Sequence, residues 1–155
     1  MRGYFNFCIA TFLCLMLSSC PEQSSSVMVT RIISNKTAND VLLDFFEQNE
    51  SKLKIVIPSN DADTAKENCE FAMGSLQACS VVFSLKVDSI RLNFDDGQVL
   101  TYIKDGKDYN FINNKNIMIL DIEDPSLNKG YEQVADNVFV FTIEESDYEA
   151  AEPIE

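Results

Sequence analysis

Ser89-Ile90-Arg91-Leu92-Asn93-Phe94-Asp95-Asp96-Gly97-Gln98-Val99-Leu100-Thr101-Tyr102-Ile103 is the stretch that decides how the rest of the chain is read. Ile90, Leu92 and Phe94 alternate with Ser89, Arg91 and Asn93. Period two is the mark of a strand with one face in a core and one in water. Asp-Gly then supplies a residue that accepts the positive φ of a tight turn, and a second apolar run leaves it. The stretch predicts an antiparallel hairpin.

Working outward, Lys104-Asp105-Gly106-Lys107 repeats the turn chemistry. Upstream, residues 80–85 predict a strand, and residues 51–58 alternate Leu53, Ile55 and Ile57 with Lys52 and Lys54 before Pro58 ends the run. Residues 27–34 are rich in β-branched side chains and run into a polar turn at 35–40. Residues 41–47 are apolar on both faces, so a strand and a short helix capped by Asn39-Asp40 both stay open. Residues 59–77 have little periodicity and predict a long connection with one helical turn at 64–71, a place to look for a recognition surface. Downstream, 111–112 is a weak strand, 117–120 a better one, 124–137 a loop and 138–143 the final strong strand. Residues 144–155 predict a helical turn around Tyr148, Ala150 and Ala151 and then a frayed acidic end. About seven to nine short antiparallel strands with regular turns describe an all-β fold, a single β-sandwich. It is immunoglobulin-like at the level of topology only, because no tryptophan is present; a small open barrel is the alternative.

The chain has 155 residues, no histidine and a formal charge of −13. Such acidity disfavours nucleic acid and anionic headgroups as partners of the protein surface. Without histidine the usual general base and metal ligand are missing. Gly74-Ser75 lacks a nucleophile-elbow frame. The paired carboxylates Asp95-Asp96, Asp121 with Asp124, and Glu144-Glu145 sit at turns and strand ends, where acids are ordinary, so a carboxylate-based hydrolase is the weakest reading. Asp61 with Asp63 and the 121–124 acids offer oxygen ligands for calcium but fit no calcium-loop pattern. Neither a catalytic residue, a metal ligand nor a cofactor is expected.

At the N-terminus, Met1-Arg2 precedes an apolar run over 5–17 that ends in Leu17-Ser18-Ser19-Cys20. One positive charge, about 13 apolar residues and small residues make a secretory signal, too short to span a bilayer. The Leu-Ser-Ser-Cys order resembles the lipobox of bacterial lipoproteins. The resemblance implies cleavage before Cys20 and lipidation, including palmitate, of that cysteine. Pro21 in place of aspartate then favours the outer membrane, on its periplasmic or surface face. The organisation expected is a signal at 1–19, the lipidated cysteine and a flexible tether at 20–26, a sandwich at 27–150 and an acidic tail at 151–155. Loss of Arg2 would take the mature charge from −13 to −14.

Cys69 and Cys79 are then the cysteines left in an oxidising compartment. A disulfide between them, preferred to two free thiols, closes a loop of about 11 residues and contributes roughly 3 kcal/mol.

The segments 32–37, 88–97 and 139–148 also resemble small Bacteroidota lipoproteins of unassigned activity, with their N-x-T turns, D-S-I…F-D-D-G hairpins and F-T-x-E-E-x-D-Y endings. That resemblance implies O-glycosylation at Thr64 (in Asp63-Thr64-Ala65) and Ser89 (in Asp88-Ser89-Ile90). Asn35-Lys36-Thr37 and Asn49-Glu50-Ser51 match the N-glycosylation sequon. The function expected is a lipid-anchored, non-catalytic binding or accessory module for a protein or glycan, with a structural subunit of an envelope complex as the alternative. Tyr102, Tyr109, Phe111 and Tyr131 are the expected binding surface.

Overall fold

A computed structural model describes residues 25–72, 75–77, 87–105, 108–120, 126 and 128–154. Its strands are β1 (Ser25–Asn35), β2 (Val41–Glu47), β3 (Glu50–Ile57), β4 (Ala62–Ala72), β5 (Ser75–Gln77) and β6 (Ser89–Phe94). They continue as β7 (Gln98–Asp105), β8 (Asp108–Tyr109), β9 (Tyr131–Ala135), β10 (Val138–Ile143) and β11 (Glu152–Pro153), with one short helix, α1 (Glu145–Glu149), before the last. One sheet has the order β5-β4-β1-β10-β9; the other has β11-β7-β6-β2-β3, with β8 beside β7. The fold is an all-β sandwich.

Period two explains the layering. Ile90, Leu92 and Phe94 of β6, Leu100 and Tyr102 of β7, and Val41, Leu43 and Phe45 of β2 point inward from one sheet. Val29 and Ile33 of β1 meet them from the other, with Phe139, Phe141 and Ile143 of β10. Each fully buried side chain of this size stabilises by about 1.5–3 kcal/mol. Arg31 shares the inward parity of β1 and is buried as well.

The crossing from β1 to β2 is built around Asn35, which is wholly buried. Its Nδ2 donates to the carbonyls of Asn39 at 2.8 Å, Ile57 at 3.1 Å and Pro58 at 3.2 Å. Its Oδ1 accepts from Thr37 N at 3.0 Å and Thr37 Oγ1 at 2.8 Å. One amide therefore satisfies the backbone of two chain segments where the ladder stops. The same burial of Asn35 and Thr37 removes that sequon from any glycan-transferring enzyme in the folded chain.

Several expectations are corrected. Residues 59–77 are not a connection with a helical turn: 62–72 form β4, antiparallel to β1 from Ser25↔Phe71 to Ser34↔Ala62. Alanine, aspartate, lysine and glutamate have low strand propensity, so β4 exists through its pairing with β1 and not through its own pattern. Of the two readings open for residues 41–47, the strand is the one that forms. Residues 117–120 are not a strand. Asn116 Oδ1 accepts from Met118 N at 2.7 Å and Ile119 N donates to Asn116 O at 3.2 Å, folding the apolar run into a turn that buries Ile117. The supposed loop 124–137 contains β9.

The strands are not all antiparallel, since β1 and β10 run parallel in register Thr30↔Val138 to Asn35↔Ile143. Ser25 and Ser26 belong to β1 and not to a tether, and the tail is not frayed at 152–153, where β11 pairs with Val99 and Gln98. The weak strand at 111–112 reduces to a single bridge, Ile112↔Lys115. The strand expected at 80–85 lies outside the described residues. Eleven strands among the described residues, against the seven to nine expected, reflect three very short ones, β5, β8 and β11.

Candidate ligand-binding groove

The solvent face of the second sheet takes the other half of the alternation. Across it, β3, β2, β6 and β7 bring Lys54, Asp44, Arg91 and Thr101 into one file. Asp44 is nearly buried and holds the file together: its Oδ1 accepts from Ser51 Oγ at 2.5 Å and its Oδ2 faces Lys54 Nζ at 3.2 Å. Lys54 thereby takes up the charge of Asp44. The Arg91 guanidinium lies instead over the Phe46 ring, 4.6 Å from its centroid. A cation over an aromatic face is restricted by that contact, and Arg91 remains exposed to solvent.

Beside Arg91 a groove of about 630 Å³ opens along β7. Arg91, Asn93, Thr101 and the Glu152 carboxylate supply polar groups, and Val99, Ile112, Pro153 and Ile154 supply much of its apolar lining. Small-molecule and peptide sites have this size and this mixture of apolar wall and few polar groups. One wall is the C-terminal segment, fixed by β11 and by Ile154 N donating to Gly97 O at 3.0 Å. Above β11 the same edge of β7 is occupied by Asn110, whose Oδ1 accepts from Ile103 N at 2.7 Å and whose Nδ2 donates to Thr101 O at 2.9 Å. That side chain imitates a neighbouring strand and closes the edge to further pairing.

The C-terminal wall is held from behind by a charged cluster. Lys115 Nζ contacts the Glu144 carboxylate, Asp147 Oδ2 at 3.1 Å and Thr142 O at 3.3 Å. Asp147 is completely buried, accepts from Glu144 N at 2.9 Å to close the capping box of α1, and receives Asn113 Nδ2 at 3.3 Å. Burial acts to lower the Lys115 pKa, but the bonds and charge of Glu144 and Asp147 outweigh it and hold the ammonium above its ordinary range. Tyr148 then ties α1 to the β6–β7 turn: its ring meets Phe94 edge-on at 5.1 Å and its Oη donates to Asp96 Oδ2 at 2.5 Å. That hydrogen bond raises the Tyr148 phenol above the usual tyrosine range.

The aromatic surface expected from the sequence divides. Tyr102 and Tyr131 are core residues; Tyr131 Oη donates to Ile117 O at 3.0 Å, and both rings pack against Phe141. Among the described residues the Tyr102 hydroxyl finds no hydrogen-bond partner. Burial, and after it the negative charge of Asp147, push its phenol well above the ordinary range. Tyr109 is half-buried at the β7–β8 tip under Lys104, and Phe111 is half exposed. They are surface residues, yet neither lines the groove. Strand alternation alone could have placed Tyr102 inward, since it shares parity with Leu100.

Thr64 lies exposed on β4, in a strand and not a loop, and Ser89 is half-buried at the start of β6. Asp61 Oδ1 accepts from Ala62 N at 2.8 Å, and Glu144 caps α1, so these acids have local structural partners. Among the described residues no group of three or more His, Cys, Asp or Glu side chains is arranged to hold a metal. Cys69 lies in the β4 backbone opposite Val27, while Cys20 and Cys79, and with them the lipidation and disulfide expectations, lie outside the described residues. Sequence reasoning missed the groove because Ile112, Ala150 and Ile154 reach it only through the fold. Comparison with family models, curated proteins and solved structures returns no match for this chain.

Proposed function

We propose that the chain is an envelope lipoprotein, lipidated at Cys20, whose sandwich is a non-catalytic binding module using the groove beside β7. The observation that carries the binding half is the groove itself. It lies on the solvent side of the sheet and offers Arg91, stacked on Phe46 and not engaged with Asp44, beside Asn93, Thr101 and an apolar wall. The core does not need an arginine there, and a guanidinium beside amide, hydroxyl and carboxylate groups is suited to a polar ligand. The Leu17-Ser18-Ser19-Cys20 signature supports the anchor, and a glycan or protein met in the envelope is the ligand class.

Two experiments test the halves separately. Palmitate labelling should be lost in Cys20→Ala; retained label defeats the anchor. For binding, a photo-crosslinking residue at Thr101 should give discrete adducts in intact cells that Arg91→Glu removes. The same probe at Thr64, on the opposite sheet, should not give them. Identical adducts from both positions would defeat the groove.

A further inference from the structure

We infer that two copies of this chain meet through the solvent face of the first sheet. The inference rests on neither the groove nor the lipid anchor. Val29, Arg31 and Ile33 of β1 and Phe139, Phe141 and Ile143 of β10 point into the core. Alternation therefore turns Met28, Thr30, Ile32, Val138, Val140 and Thr142 to the outside. β1 and β10 are neighbours inside the sheet, with Thr30 beside Val138 and Ile32 beside Val140. Charged residues make up 24 % of the chain, yet none of these six side chains carries a charge. The solvent face of the second sheet is built differently, with Lys54, Asp44 and Arg91 across its middle.

Charge returns on the flanking strands, with opposite signs. Lys66 of β4 pairs with Thr30, and Glu132 of β9 pairs with Val140, so both share the outward parity. Both are exposed, and among the described residues neither makes an ion pair. They cannot pair with each other. Three strand spacings of about 4.8 Å and one step of two residues put their Cα atoms roughly 15 Å apart on one face.

A second copy supplies what each lacks. A two-fold axis lying between two such faces and along their strands carries β4 of one copy over β9 of the other. Lys66 of each copy then meets Glu132 of the second, so the pair forms twice, while β1 of each copy crosses β10 of the other between them. A two-fold makes one patch complementary to itself, and an uncharged centre with paired charges at the rim is how protein contacts are arranged. Two chains of charge −13 repel, which limits their approach to a face whose own charges balance, and here one lysine answers one glutamate. The acids Asp136 and Glu144 lie beyond the two ends of β10, at the solvated rim.

The test places a photo-crosslinking residue at Met28, which is 56 % exposed and so tolerates replacement, in the full chain irradiated in the cells that make it. The expected product has twice the mass of the chain, and all its peptides come from this chain. It should persist in Arg91→Glu, fall several-fold in Lys66→Glu, and return in Lys66→Glu/Glu132→Lys, where the two signs are exchanged. Both substituted positions are exposed, and unchanged circular dichroism of each variant separates a lost contact from a lost fold. No doubled product, an adduct with a different protein, a doubled product indifferent to Lys66→Glu, or one that the exchanged pair fails to restore overturns the inference. Loss in Arg91→Glu overturns it as well, because that side chain lies on the other sheet.

Discussion

Asn35→Asp is nearly isosteric and tests whether one buried amide holds the corner between the sheets. At neutral pH the substitution keeps the two bonds accepted from Thr37 and removes all three donated bonds, to Asn39, Ile57 and Pro58. It also points a carboxylate at those three carbonyl oxygens in a site with no solvent exposure. Leaving buried acceptors unsatisfied costs about 1–3 kcal/mol, and an uncompensated buried charge costs about 3–5 kcal/mol. The expected loss is therefore at least about 4 kcal/mol, a large part of the roughly 5–15 kcal/mol that holds a domain folded.

The sign with pH follows from linkage. Burial and the facing carbonyls raise the folded pKa of the introduced aspartate above its unfolded value of about 3.9. The protonated acid binds one more proton in the folded state, donates one hydrogen bond and carries no charge. The penalty thus shrinks as pH falls through the raised folded pKa, and stops changing below the unfolded one. Urea unfolding of the wild type and the variant, from about pH 7 to about pH 4, reads both quantities. A difference below about 1 kcal/mol at neutral pH, or one that does not change with pH, would refute the reasoning.

Tyr102→Phe removes a buried hydroxyl without a partner and should be neutral or stabilising by about 1 kcal/mol in denaturant unfolding, whereas Tyr131→Phe, which loses the bond to Ile117, should destabilise by about 1 kcal/mol. Gly130 has φ +99° and an added Cβ would meet Phe141 Cε2 at 2.6 Å, while Gly97 has φ +87° with open space around it. Gly97→Ala should cost about 1 kcal/mol from conformation alone, and Gly130→Ala clearly more, about 3 kcal/mol, read as shifts in melting temperature. Because Lys115 has a raised folded pKa, its contribution is full below the unfolded lysine pKa of about 10.5 and is lost as pH rises through the folded value. The melting-temperature gap between wild type and Lys115→Met should accordingly narrow from about pH 9 to about pH 12; a constant gap contradicts the ion-pair account.

What the sequence determined by itself follows from local chemistry. The alternation of Ile90, Leu92 and Phe94 and the glycine at 97 suffice for the β6–β7 hairpin, because turn geometry and a half-buried face are properties of neighbouring residues. The same alternation marks β3, a nearly continuous β-branched and aromatic run marks β10, and together they point to the all-β class.

Tertiary structure decided the rest, wherever a residue's partner lies far along the chain. β4 is polar and low in strand propensity, and becomes a strand because β1 presents an open ladder of backbone groups. Ile117 to Leu120 carries a strand's composition and forms a turn because Asn116 captures its amides. Parallel pairing of β1 with β10 joins the two ends of the domain, a choice no local pattern encodes. The groove is the extreme case. Its floor comes from residues 91–101 and its wall from 150–154, and these meet because β11 hydrogen-bonds to β7 and the buried Asp147, paired with Lys115, fixes the helix that precedes it. Local propensity writes strands and turns; which of their outer faces becomes a site depends on long-range hydrogen bonds and ion pairs that exist only once the chain has closed.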